Sequence, residues 1–174
     1  MRQAAPPYLG EGPHALWHAS EDSAIRRFEP REGKVWAIDT RHWPLYWFPR
    51  DCPRATFWAE STTSDEDVEW FLGGDRSLRV HVVEPEWLPR LRATRVVSYR
   101  LPETTFVQNE DRFWISSEPV EPLELVELGD LVARHDAARI ELGTESRLLA
   151  FWDTVARSTL GFSGIRLRNA RMSA

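Results

Sequence analysis

Residues 35–58 read VWAIDTRHWPLYWFPRDCPRATFW, and the fold turns on how that stretch divides. Val35 to Ile38 carry no charge, the pattern of a strand central in its sheet. Asp39 or Thr40 then caps a short helix around His42 to Phe48, where Pro44 suits an early helical position. Pro49 and Pro53 impose an irregular segment, and Ala55 to Ala59 resumes as a strand. Trp36, Trp43, Tyr46, Trp47, Phe57 and Trp58 crowd the stretch, interspersed with Arg41, Arg50 and Arg54. Most of these rings are expected in the core, since buried aromatics dominate small domains. Any left at the surface beside a guanidinium would suit a flat, anionic ligand such as a nucleotide.

Upstream, residues 1–13 hold Pro6, Pro7, Gly10, Gly12 and Pro13 and read as a flexible lead-in. His14 to Ser20 has strand character, and Ser20 is placed to cap a short helix that closes before Pro30. Downstream, Ser64 or Asp65 opens a helix to Leu72, with acids in its first turn and Gly73-Gly74 ending it. Leu78 to Val83 alternates as a half-buried strand. Pro85 to Leu91 is a short helix and Val96 to Leu101 a strand. Thr105 to Val107 and Arg112 to Ser116 flank the turn of residues 108–111 as a hairpin. Val120 to Leu128 follows as a strand broken at Pro122. Gly129 to Arg139 is helical, and Thr144 or Ser146 opens a last helix to Leu160, with Gly161 and Gly164 ending it. The sum is a strand-rich α+β protein: a core domain over 14–128 and a helical extension over 129–174.

Charge and composition remove several function classes. The 174 residues carry a net charge of −5, which argues against binding nucleic acid through the overall field; local contact with it is not favoured. No apolar run approaches a membrane span and the N-terminus lacks an apolar signal core, so a cytoplasmic protein is expected. The single cysteine, Cys52, excludes an internal disulfide and a cysteine-rich zinc site. Arg50 and Arg54 beside it would lower a thiol pKa, yet a small buried residue in a turn is the better reading. The five histidines show no metal-binding spacing, and no metal is expected. A P-loop and a nucleophile elbow are absent.

Two residues stand out for chemistry. His18 ends a short strand with the hydroxyl of Ser20 two positions on, on the same face, where a neutral imidazole can hydrogen-bond a ligand hydroxyl. Glu118 follows a hairpin strand, where side chains are presented into clefts, with Pro119 fixing the backbone after it. Each also has a plain reading, as a structural histidine and a solvated acid.

The runs LWHASEDSAIRRFEP, VWAIDTRHWPLYWFPRDCPR, FWISSEPVEP and GFSGIRLRNA together resemble a small bacterial family of unknown function, over nearly the full chain. A second resemblance is to the ADP-ribosyltransferase-like fold. LWHAS followed by Ile25 and Phe28 resembles its first motif, a strand ending in His with a Ser or Thr two residues on. VWAID resembles its second, an aromatic-bearing strand before a helix that covers the nicotinamide pocket. Ser117-Glu118-Pro119-Val120 resembles its third, a glutamate entering a strand. Ala19 stands where the motif has glycine and Trp36 where it has tyrosine, changes that would crowd the pocket.

The resemblance implies an NAD-dependent transferase with a split sheet, NAD serving as substrate. His18 and Glu118 would be catalytic, His18 holding a ribose hydroxyl and Glu118 bonding the 2′-hydroxyl while stabilising an oxocarbenium-like transition state. Ser20 would join the NAD site, Trp36, Tyr46 or Trp47 would stack on nicotinamide, and Arg26, Arg50 or Arg54 would pair with pyrophosphate. Two other functions fit the same residues: a nucleotide- or RNA-binding module that breaks no bond, and a protein-interaction domain presenting surplus tryptophan.

Overall fold

The computed structural model describes residues 15–109 and 113–172. The predicted lead-in over 1–13, His14, and residues 110 and 111 of the turn at 108–111 lie outside them. Among the described residues there are ten strands: β1 (Leu16–Ser20), β2 (Val35–Asp39), β3 (Arg54–Trp58), β4 (Arg79–Val83), β5 (Val97–Leu101), β6 (Val107–Gln108), β7 (Phe113–Ser116), β8 (Glu124–Glu127), β9 (Glu141–Thr144) and β10 (Gly161–Ile165). Four α-helices accompany them: α1 (Asp65–Leu72), α2 (Leu88–Ala93), α3 (Leu131–Ala138) and α4 (Leu148–Ala156). The protein is strand-rich α+β, as the sequence indicates. Among the described residues no helix is long and apolar enough to cross a membrane.

The chain forms two compact units, each with its own sheet. One holds residues 48–94 and 130–172 of the described chain; the other holds 15–47 and 95–129. Residues 129–174 are therefore more than the predicted helical extension, because they supply β9 and β10 to the first unit's sheet.

That first sheet runs β10-β3-β4-β9, with β9 parallel to β4 and the other pairs antiparallel. Every residue of β3 and β4 is buried, so β4 is not the half-exposed strand its alternation suggests. Val80 and Val82 join Val68 and Leu72 of α1 and Leu148 and Val155 of α4 in one apolar cluster. On the other face His81 meets His135 of α3. Alternation survives in β4, but it separates an apolar face from a buried polar one. α1 starts and stops as its residues dictate: the Ser64 hydroxyl accepts from the Asp67 amide, and Gly73 closes it in the left-handed conformation.

The second unit's sheet runs β6-β7-β2-β1-β5-β8, all antiparallel. One face carries Leu16, Val35, Ala37, Val97, Tyr99 and Leu101, sealed by Phe28, Phe106 and Val120. The helix expected after Ser20 does not form. The Ser20 hydroxyl accepts from the Asp22 amide and the Asp22 carboxylate from the Ala24 amide, so two side-chain turns replace a helical one. Tyr99 fixes the loop, its hydroxyl donating to the Asp22 carbonyl and accepting from the Ile25 amide. The helix expected over 42–48 is a 3-10 turn, Trp43–Tyr46, with Pro44 near its start.

Candidate functional site

The second sheet opens between β1 and β2. Their ladder covers Leu16–Asp39 and Trp17–Ile38 and then ends. Yet β1 stays paired with β5 as far as Ser20, and β2 with β7 back to Val35. Two strands that each keep their outer partner but part from one another leave a crevice. A cavity of about 410 Å³ lies there, lined by Trp17, His18 and Ala19 of β1, Trp36, Ala37 and Ile38 of β2, Tyr46 and Phe113. That volume is in the range of small-molecule sites.

The walls are rings fixed by their neighbours. Trp17 stacks on Trp43 at 4.1 Å between centroids, and Trp47 meets Trp43 edge-on at 5.3 Å. The Trp17 indole N–H donates to Thr40 and the Trp43 N–H to Ser98. Phe113 stands edge-on to Trp36 at 5.6 Å and to Tyr46 at 6.4 Å. Trp36 is 41% exposed, so part of this wall reaches solvent. Among the described residues no charged side chain lines the cavity, which favours a flat apolar ring inside it.

His18 occupies the first position of β1 past the ladder. Its Nδ1 lies 2.7 Å from the Trp36 carbonyl oxygen, spanning the gap. A carbonyl can only accept, so Nδ1 carries the proton and a neutral ring keeps Nε2 as an acceptor. The ring also tilts against Phe28 at 4.8 Å.

The sequence-derived candidates divide accordingly. His18, Trp36 and Tyr46 line one crevice. Trp47 is buried behind Trp43. Ser20 is partly exposed at the end of β1 with its hydroxyl bound to the Asp22 amide, and Arg26 is exposed in the following loop. Glu118 is exposed two residues beyond β7, its amide held by the Ser116 hydroxyl, and it is not part of the cavity lining. Arg50 and Arg54 belong to the other unit. Arg54 is 3% exposed, donates to the Cys52 carbonyl and lies over the Phe48 ring at 4.7 Å. Sequence reasoning missed Trp17 and Phe113. Trp17 adjoins His18 in the quoted motif, whereas Phe113 arrives only through its pairing with Ile38.

Two further clusters bear on chemistry. Asp39 and His42 are buried, and Asp39 accepts from the His42 ring and amide, both at 2.9 Å. Burial alone would raise this carboxyl, but the His42 hydrogen bonds and charge outweigh it and hold the pKa below the usual value. In the other unit Cys52 is buried, and burial pushes its thiol up to about 12 against the opposing pull of Arg54 and Arg90. That is an inert thiol rather than a nucleophile. Among the described residues no group of three or more His, Cys, Asp or Glu is arranged to hold a metal.

Fold and site thus define a two-sheet α+β protein with a ring-lined crevice at a parted strand pair. The chain belongs to the family of unknown function DUF6886, whose model matches residues 17–170. No curated protein and no solved structure matches it.

Proposed function

We propose that the β1–β2 crevice takes NAD or a related nucleotide, and that the protein cleaves the nicotinamide–ribose bond in the manner of an ADP-ribosyltransferase. One observation carries the reading: the sheet parts where the LWHAS and VWAID segments meet, and the cavity there gathers His18, Trp36 and Tyr46. The nicotinamide ring stacks among the aromatic walls. His18 Nε2 accepts from a ribose hydroxyl, a role its fixed tautomer suits. Glu118 bonds the 2′-hydroxyl and stabilises positive charge at the anomeric carbon. The glycosidic C–N bond breaks with its electron pair going to the pyridinium nitrogen, and an acceptor nucleophile then bonds to that carbon. The cytoplasmic setting expected from the sequence belongs to the same proposal.

Nicotinamide release from NAD tests it. Glu118→Gln should reduce turnover at least a hundredfold while NAD binding, followed by tryptophan fluorescence, is kept. Unchanged turnover in that variant removes Glu118 from the chemistry. The exposure of Glu118 outside the cavity lining favours a second reading, a module that binds the nucleotide and breaks no bond. Saturable binding with no nicotinamide released by the unsubstituted protein would establish it over the first.

A further inference from the structure

Among the described residues the crevice is lined by rings and small apolar side chains, which suit the flat part of a nucleotide and leave its phosphate to be met outside the lining. Neither Arg26 nor Arg54, both expected in that role, is part of the cavity lining: Arg26 is exposed in the loop after β1, and Arg54 is buried and bonded to a backbone carbonyl. Lys34 is different. It is the only lysine among the 22 basic residues, and its ammonium lies over the Trp36 ring, 5.3 Å from the centroid. Trp36 is itself a wall of the crevice.

The position of Lys34 is built by the backbone. Lys34 and Arg31 exchange both amide–carbonyl hydrogen bonds at 3.0 Å, closing a two-residue turn directly before β2. The residues inside it, Glu32 and Gly33, have φ of 51° and 77°. Both are left-handed, as a tight hairpin turn whose twist matches its flanking strands requires. Side-chain contact then aims the ammonium along the strand toward Trp36. Lys34 is exposed, so the cation–π contact adds order to a side chain that an anion in solution can still reach.

We infer that Lys34 sets the ligand preference of the crevice: its ammonium receives the phosphate of a nucleotide whose ring stacks on Trp36. This rests on the nucleotide reading above and adds to it a specificity residue. It acts on binding and takes no part in bond breaking.

Nicotinamide riboside and nicotinamide mononucleotide differ by one phosphate, and titrating both against tryptophan fluorescence separates ring from charge. The mononucleotide should bind three- to fivefold or more tightly, a preference that fades with added salt. Lys34→Gln should bring the two affinities together by weakening the mononucleotide alone. Lys34→Arg should keep the preference and Lys34→Glu reverse it. These substitutions leave the backbone hydrogen bonds of the turn in place, and circular dichroism checks that each variant is folded. Equal weakening of both probes in Lys34→Gln, or an unaltered preference, overturns the role of Lys34 while leaving the nucleotide reading standing. Failure of both probes to bind the unsubstituted protein overturns the nucleotide reading and this inference with it.

Discussion

The two sheets spend their central strands differently. In the four-stranded sheet β3 and β4 are buried throughout, with apolar side chains of β4 on one face and His81, bonded to His135 of α3, on the other. In the six-stranded sheet the central strands β1 and β2 part after two residue pairs, and Trp36 is left partly exposed between them. Complete ladders with filled faces are a source of stability, because few groups can leave without exposing apolar surface or losing a hydrogen bond. Parted strands forgo ladder bonds, and what they gain is a cavity. Under the proposed function the first sheet is scaffold and the second the binding surface.

That contrast is open to measurement, and the largest effect belongs to the scaffold. Leu72 is fully buried in the α1 cluster, and Leu72→Ala should cost about 2–5 kcal/mol in denaturant unfolding. A cost under 1 kcal/mol would mean that this cluster is far less closely filled than its burial indicates.

The histidine pair gives the next effect. His135 Nδ1 lies 2.6 Å from the Leu131 carbonyl and its Nε2 lies 2.9 Å from His81 Nδ1. The carbonyl places a proton on His135 Nδ1, so His135 Nε2 accepts and His81 Nδ1 donates, and both rings are neutral. Burial drives both pKa values down, His135 to about 4. A folded pKa below the unfolded value means that the unfolded chain binds the proton first. Stability is therefore full above about pH 6.5 and falls as pH drops toward 4, by about 3 kcal/mol from His135. Urea midpoints measured between pH 7.5 and 4 should show this decline, and His135→Gln should shrink it. A flat profile across that window would contradict a neutral buried pair.

The binding surface gives the smallest effect on stability. Trp36→Ala should change unfolding by about 1 kcal/mol, while weakening a stacked nucleotide about tenfold or more. A large loss of stability with unchanged ligand affinity would invert the assignment of scaffold and site.

Some of this was legible in the residues. α1 carried its own cap, acidic first turn and terminal glycines, all of them local signals. His18, Trp36 and Tyr46 were singled out by their setting in LWHAS and in residues 35–58, and they do meet. β10 was misread because Gly161 and Gly164 look like the end of a helix. A Cβ at Gly161 would come within 2.5 Å of the Trp58 indole nitrogen, and one at Gly164 within 2.8 Å of the Trp152 ring. These glycines mark close approach inside a strand, information held by partners distant in sequence. β9 was lost for a similar reason: a short edge strand has little period of its own, and only its parallel pairing with β4 defines it.

The sequence alone determined the α+β class, the capped helix α1, the surplus of aromatic rings and the motif-bearing strands, because capping, turn chemistry and side-chain alternation act over a few residues. Tertiary structure alone decided that β1 and β2 part, that Phe113 joins their crevice, and that β4 buries histidine as well as valine. Strand pairing and the burial of a face depend on neighbours brought from elsewhere in the chain, and no local pattern encodes which neighbours arrive.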